Sequence, residues 1–187
     1  MKKLFLFSAI ALGMLNGIAH AGLTDTDKEI QFVGAVSKGN CDVNPVVDGS
    51  GSMMPGVIQL GVVKTGTDGT AVKFRFKPTS TTDNLKECDK IEDSDKVYVT
   101  WTSGAFNGTS GLGAISGSAT DAVVYIKATN AESTSKDKVI ITSGTSHEFL
   151  GKLIKSSGDG LQYTAQLHGG TALGDIHTAA KFNVIYK

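Results

Sequence analysis

Residues 174–187 constrain this chain more than any other stretch. Ala180, Phe182, Val184 and Tyr186 recur at period two and therefore share one face of a β-strand. The sequence stops at Lys187, one residue past Tyr186, so this strand has no following hairpin partner. It must pair with an earlier strand or with a segment supplied from outside. Which of these happens decides what the chain can do.

The other end reads as a processing segment. Lys2 and Lys3 form a positive head, residues 4–15 are largely apolar, and Ala19-His20-Ala21 fits the small-x-small cleavage rule. The expected signal peptide is 1–21, with Gly22 as the first mature residue. The apolar run is too short for a membrane span. An exported, soluble chain follows. Losing Lys2 and Lys3 from 18 basic residues leaves 16 against 18 acidic ones, a net charge near −2. No basic patch dominates, which argues against nucleic acid as a partner. Cys41 and Cys88 are an even pair in an exported chain, which argues for one disulfide. Its closed loop would restrict the unfolded chain by about 4 kcal/mol. The rival reading, a redox or metal-binding cysteine pair, has neither CxxC nor zinc-knuckle spacing.

The chain between these ends reads as short strands and Gly-rich turns. Residues 22–29 form a polar arm, and alternation begins with Ile30 and Phe32 and continues through Gly34 and Val36. Residues 44–56 read as a turn-rich connection and 57–61 as a short strand. Val72, Phe74 and Phe76 alternate with Lys73, Arg75 and Lys77, a half-buried strand ended by Pro78. Residues 79–95 read as polar loop, 96–101 as strand and 103–120 as Gly/Ser/Thr-rich loop. Further strands are expected at 121–127, 139–141, 147–154 and 161–167, before the terminal one. No stretch has helical period and useful length. Eight or nine strands with one disulfide predict a β-sandwich.

Residues suited to chemistry are scattered. His147, His168 and His177 stand at no metal-binding or HExxH spacing, and His147 and His168 read as loop and turn residues. No GxSxG elbow or phosphate-binding Gly loop is complete. The Glu92-Asp93-Ser94-Asp95 run lacks the Gly and terminal Glu of an EF-hand loop and reads as a solvated acidic turn. Trp101 could offer a sugar-stacking platform, with core or rim packing as its ordinary alternative. No catalytic residue, metal ligand or cofactor is expected.

Three sets of residues together resemble one family. The first is the Ile30, Phe32, Gly34, Val36 alternation leading to Cys41, with residues 57–61 after it. The second is Cys88 in a short loop after the Phe74/Phe76 strand. The third is the C-terminal pattern of Gly174, Ala180, Phe182, Val184 and penultimate Tyr186. The chain resembles subunits of chaperone–usher pili, and among them the type 1 fimbrial major-subunit-like pilins. The resemblance implies an all-β fold, an incomplete immunoglobulin-like β-sandwich completed by a donor strand, with residues 30–187 as the pilin domain. It implies that Cys41 and Cys88 are the family's disulfide, and that Gly174, Ala180, Phe182, Val184 and Tyr186 form a groove wall facing a periplasmic chaperone.

It also implies that the arm 22–29, extending into 30–34, is the donor strand of the next subunit, exchanged at an outer-membrane usher. Thr24, Thr26, Lys28, Ile30 and Phe32 share the donor face, and Lys28 stands near the position at which similar pilins carry a Gly. The partners implied are the chaperone, the usher and neighbouring pilus subunits; a host glycan or protein receptor is left open. The expected place is the periplasm and then an extracellular pilus, the expected role structural, polymerising by strand exchange and supporting adhesion. Two alternatives stand beside it: a minor adaptor or terminating subunit, and a self-complete secreted β-sandwich that binds a glycan.

Overall fold

The structure, a computed structural model, describes residues 41–48 and 56–187. The signal segment 1–21 and the arm residues Thr24, Thr26, Lys28, Ile30 and Phe32 lie outside the described residues.

Eight strands are present among the described residues, all paired antiparallel. They are β1 (Val43–Val47), β2 (Val72–Pro78), β3 (Lys96–Thr102), β4 (Leu112–Gly113), β5 (Val123–Ala128), β6 (Thr145–Leu150), β7 (Leu161–His168) and β8 (Lys181–Tyr186). One sheet has the order β1-β2-β7-β5-β4 and the other β6-β3-β8. Alternate residues of each strand point between the sheets, as the two-residue period requires. Phe74 and Phe76 of β2, Val97, Val99 and Trp101 of β3, Leu161, Tyr163, Ala165 and Leu167 of β7, and Val184 of β8 are all buried. The result is an immunoglobulin-like β-sandwich.

Its centre is aromatic. Tyr163 stacks on Phe74 at a ring separation of 5.5 Å and meets Phe76 and Trp101 edge-on at 5.6 and 5.3 Å. Offset and edge-to-face contacts of this kind add about 0.5–1.5 kcal/mol per pair to the burial itself.

Several local expectations change: residues 139–141 form no strand, the strand expected over 147–154 runs from Thr145 to Leu150 and gives way to a 3-10 turn at Gly151–Ile154, β4 lies within the expected 103–120 loop, and three further segments differ. Residues 44–56 were expected as a turn-rich connection, yet β1 (Val43–Val47) takes in the first four of them. Pro45 is tolerated there because β1 lies at the edge of its sheet, where a missing N–H interrupts no inner ladder. Residues 79–95 were expected as loop, yet they hold α1 (Thr82–Asp89), whose only buried residue is Cys88. An eight-residue polar helix is too short to be stable by propensity. Tertiary ties hold this one: the Cys41–Cys88 disulfide, and the Asn84 amide, which donates to the carbonyls of Asp42 and Thr79 and accepts the Asp42 N–H. Residues 57–61, expected as a strand, are assigned none. Ile58, Leu60 and Val63 still pack on the core, but Gly61 turns the backbone to φ 75° and Val62 is 100% exposed.

Candidate functional site

A sandwich of two open sheets has four edge strands, and each exposed edge is a template for further pairing. Three of the four are short, interrupted or covered. β4 has only two residues. β1 carries Pro45. Beside β6, the Glu132 N–H donates to the Glu148 carbonyl at 2.8 Å, so the 129–138 loop occupies part of that edge. β8 is six residues long, contains no proline, and among the described residues pairs only with β3, from Val97↔Tyr186 to Thr102↔Lys181.

The inward side chains of β8 are apolar. Val184 is 2% exposed. Phe182 lies 4.4 Å from the Phe76 ring and 6.1 Å from Trp101, so it closes the aromatic cluster at the margin of the sandwich. Ala180, one residue before the strand, is partly buried on the same core. The outward residues are Lys181, Asn183 and Ile185. Among the described residues no strand pairs with the far side of β8, and apolar side chains lie beside it.

The Tyr186 hydroxyl donates to the Cys41 carbonyl at 2.8 Å. This contact brings the start of β1, an edge of one sheet, to the end of β8, an edge of the other. The two edges therefore meet at this end, where Tyr186 and Cys41 stand beside the disulfide to Cys88. Burial pushes the Tyr186 phenol well above its ordinary pKa, and the nearby Asp42 carboxylate adds to the rise. Asp42 itself accepts a 2.7 Å bond from the Thr79 hydroxyl. Neither β1 nor the Tyr186 bond is legible as part of the site from sequence. Their only signal is the short alternation that starts at Val43.

Gly174 lies away from β8, in the connection after β7. Its φ is 129°, and a Cβ there would stand 2.5 Å from the Ser118 Cβ. Only glycine fits this approach of the 169–180 connection to the 114–119 loop.

The remaining candidate residues are structural. His147 was expected in a solvated loop; it sits on β6, 1% exposed, with Nδ1 3.1 Å from the Tyr163 hydroxyl. It faces inward because β6 extends two residues before it, which sets the alternation. Burial holds its pKa down to about 4, so the ring is neutral at pH 7. His168, expected in a turn, is the last residue of β7 and pairs with Asp68 at 2.7 Å. His177 lies 3.1 Å from Asp175. Among the described residues no three metal-binding side chains gather. In the acidic turn, Asp95 caps the Glu92 N–H at 2.8 Å and Asp93 pairs with Lys155 at 2.5 Å. Trp101 is 6% exposed, so the core packing removes it as a sugar platform. What the arrangement can do is accept a strand: among the described residues one side of β8 has no strand neighbour, and Ala180, Phe182 and Tyr186 beside it are only partly buried.

No protein-family model matches the chain. Among solved structures it is similar to the P pilus rod subunit PapA, with a TM-score of 0.49 and 16% identity over 86% of this chain and 99% of that one. It is also similar to a chain of a chaperone–usher pilus, with a TM-score of 0.45 and 16% identity over 89% of this chain and 99% of that one. Among curated proteins it is 30% identical to the F107 fimbrial protein of Escherichia coli, over 100% of both chains. At that identity, over the full length of both, the chain belongs to the fimbrial-protein family.

Proposed function

We propose that this chain is a structural subunit of a surface fimbria of the chaperone–usher kind, built by strand donation between copies. One observation carries the reading. The terminal strand β8 is six residues long, holds no proline and, among the described residues, has a strand neighbour on one side only, with apolar side chains packed on the core beside it. An edge of this kind on a secreted sandwich is an aggregation hazard unless a segment covers it. Addition of a strand from another chain is an established mode of recognition, in which backbone hydrogen bonds give affinity and pockets give specificity.

In this reading residues 1–21 are removed on export. A periplasmic chaperone holds the cleft beside Ala180, Phe182, Val184 and Tyr186. At an outer-membrane usher, the arm 22–29, extending into 30–34, of the next copy takes the chaperone's place. The polar composition of the arm before Ile30 suits a segment that stays extended until it is paired.

Deletion of residues 22–29 tests it. The shortened chain should still be captured by its chaperone but should form no fibre, scored by electron microscopy of cells and by ladders of undissociated subunits on gels. Fibres of ordinary length from the shortened chain would overturn the arm's role. Expressed without a chaperone, the full chain should aggregate or be degraded; a stable monomer would instead favour a self-complete sandwich.

A further inference from the structure

The sequence holds two Asn-Gly pairs, and one of them, Asn107-Gly108, lies among the described residues. Asparagine is among the chemically labile residues, and a following glycine, having no Cβ, leaves its amide nitrogen unshielded. In such a pair the glycine nitrogen can give its proton to hydroxide and attack the asparagine Cγ. The new C–N bond closes a cyclic imide, the Cγ–Nδ2 bond breaks, and the amide leaves as ammonia with a proton from water. Water then opens the imide at either carbonyl, giving aspartate or isoaspartate.

The loop from Asn107 to Gly111 withholds both reacting atoms. It is closed at its base by the Phe106↔Leu112 bridge, and the Asn107 N–H donates to the Gly111 carbonyl at 3.1 Å. Asn107 Oδ1 accepts the N–H groups of Thr109, Ser110 and Gly111 at 3.0, 2.8 and 3.1 Å, and Nδ2 donates to the Ser110 hydroxyl at 2.7 Å. These bonds fix the electrophile, and swinging Cγ onto the Gly108 nitrogen breaks them. The nucleophile is held separately. The Gly108 N–H donates to the Ile141 carbonyl at 2.8 Å, so its proton faces an acceptor of the protein and not hydroxide. That carbonyl is itself fixed, because the neighbouring Ile140 is 1% exposed and its N–H donates to the Ile126 carbonyl of β5 at 2.9 Å. Asn107 and Gly108 are both exposed, so burial does not protect them.

We infer that Asn107-Gly108 is a latent modification site, held intact by the hydrogen bonds of its loop and converted to aspartate and isoaspartate only when the 107–111 loop opens. Neither the loop nor its chemistry involves strand donation. The two products differ in consequence. An aspartate carboxylate at position 107 accepts the same three N–H groups and keeps the turn. Isoaspartate adds a methylene to the backbone and displaces its carboxylate, so the turn and the Gly108–Ile141 bond are lost together.

The full chain, kept with its assembly partners, and the same chain unfolded in guanidinium test this at one mildly alkaline pH. Mass spectrometry of the peptide carrying residue 107 reads the loss of ammonia and separates aspartate from isoaspartate. The unfolded chain should convert at least about tenfold faster, because the native chain reacts only through its open fraction. Equal rates would sink the lock, and an unfolded chain that stays asparagine would sink the site. Ser110→Ala removes the bond from Nδ2. It should speed conversion of the native chain about fivefold, the worth of one hydrogen bond, with no change in the unfolded chain. An unchanged native rate would overturn the role of the side-chain bonds. Should that variant not fold, hydrogen exchange of the Gly108 amide in the native chain carries the test. Low concentrations of guanidinium that speed this exchange should speed conversion in step. Conversion that stays flat while the exchange accelerates would overturn the proposal.

Discussion

His147 is the residue whose behaviour departs furthest from its local sequence. Ser146-His147-Glu148 looks like solvated loop, but the imidazole lies in the core against Tyr163. Its pKa in the folded state is about 4, against 6.5 for the free side chain. The native state therefore holds the neutral ring, while the unfolded chain takes up a proton below pH 6.5. Stability should be level above pH 6.5, fall as pH drops from 6.5 to about 4, and stop falling on this account below 4. The full loss is about 3 kcal/mol, at 1.36 kcal/mol per pH unit of difference. Denaturant melts at pH 7 and pH 4 should show this loss, and His147→Gln, which stays neutral, should flatten that part of the curve. Asp121 acts in a different window: its bonds to the Thr171 hydroxyl and to the Thr171 and Ala172 N–H groups hold its pKa near 2. Tyr186→Phe should cost about 1 kcal/mol through loss of the bond to Cys41. Because that bond ties the start of β1 to the end of β8, amide exchange should speed up at Asp42 and Val43 more than in β7.

Among the elements, the strands with clean alternation were legible from sequence and the short polar pieces were not. β2, β3, β5, β7 and β8 stand where hydrophobic period placed them, because a half-buried strand writes its burial into every second residue. α1 left no such trace. One buried cysteine cannot make a helical stripe, and the helix stands on contacts to a segment some forty residues earlier. Reduction of the Cys41–Cys88 disulfide should therefore melt α1 before the sheets. Hydrogen exchange should show residues 82–89 losing protection first, with a global loss of about 4 kcal/mol from the opened loop. Equal loss of protection in β7 would show instead that the disulfide supports the whole sandwich evenly. Similarly, β1 escaped notice because Pro45 reads as a turn residue, and only its place at a sheet edge makes it compatible with a strand.

For the whole molecule the deciding property is the imbalance between the sheets. Among the described residues five strands stand in one and three in the other, and the smaller ends at β8 with an apolar margin. A synthetic peptide of residues 22–36, added to the chain lacking its own arm, should fill that margin. At a concentration a hundredfold above its dissociation constant it should raise stability by about 2.7 kcal/mol. Thermal melts with and without peptide check this, and a peptide in which Ile30 and Phe32 are replaced by Asp should give no shift. Equal shifts from both peptides would point to binding elsewhere on the surface.

By itself the sequence determined the class of fold, the alternating strands and the apolar face of the last strand. All of these are local: they are set by which residues lie two apart or side by side. Only the tertiary structure decided that β8 lies at an edge among the described strands, that the residues before β1 meet Tyr186, and that His147 and Trp101 are core residues. These depend on which strands neighbour one another, and neighbours in a sandwich are separated by up to 145 residues of chain, as the Tyr186–Cys41 bond is. Strand order minimises apolar exposure over all strands at once, so no window of sequence contains it.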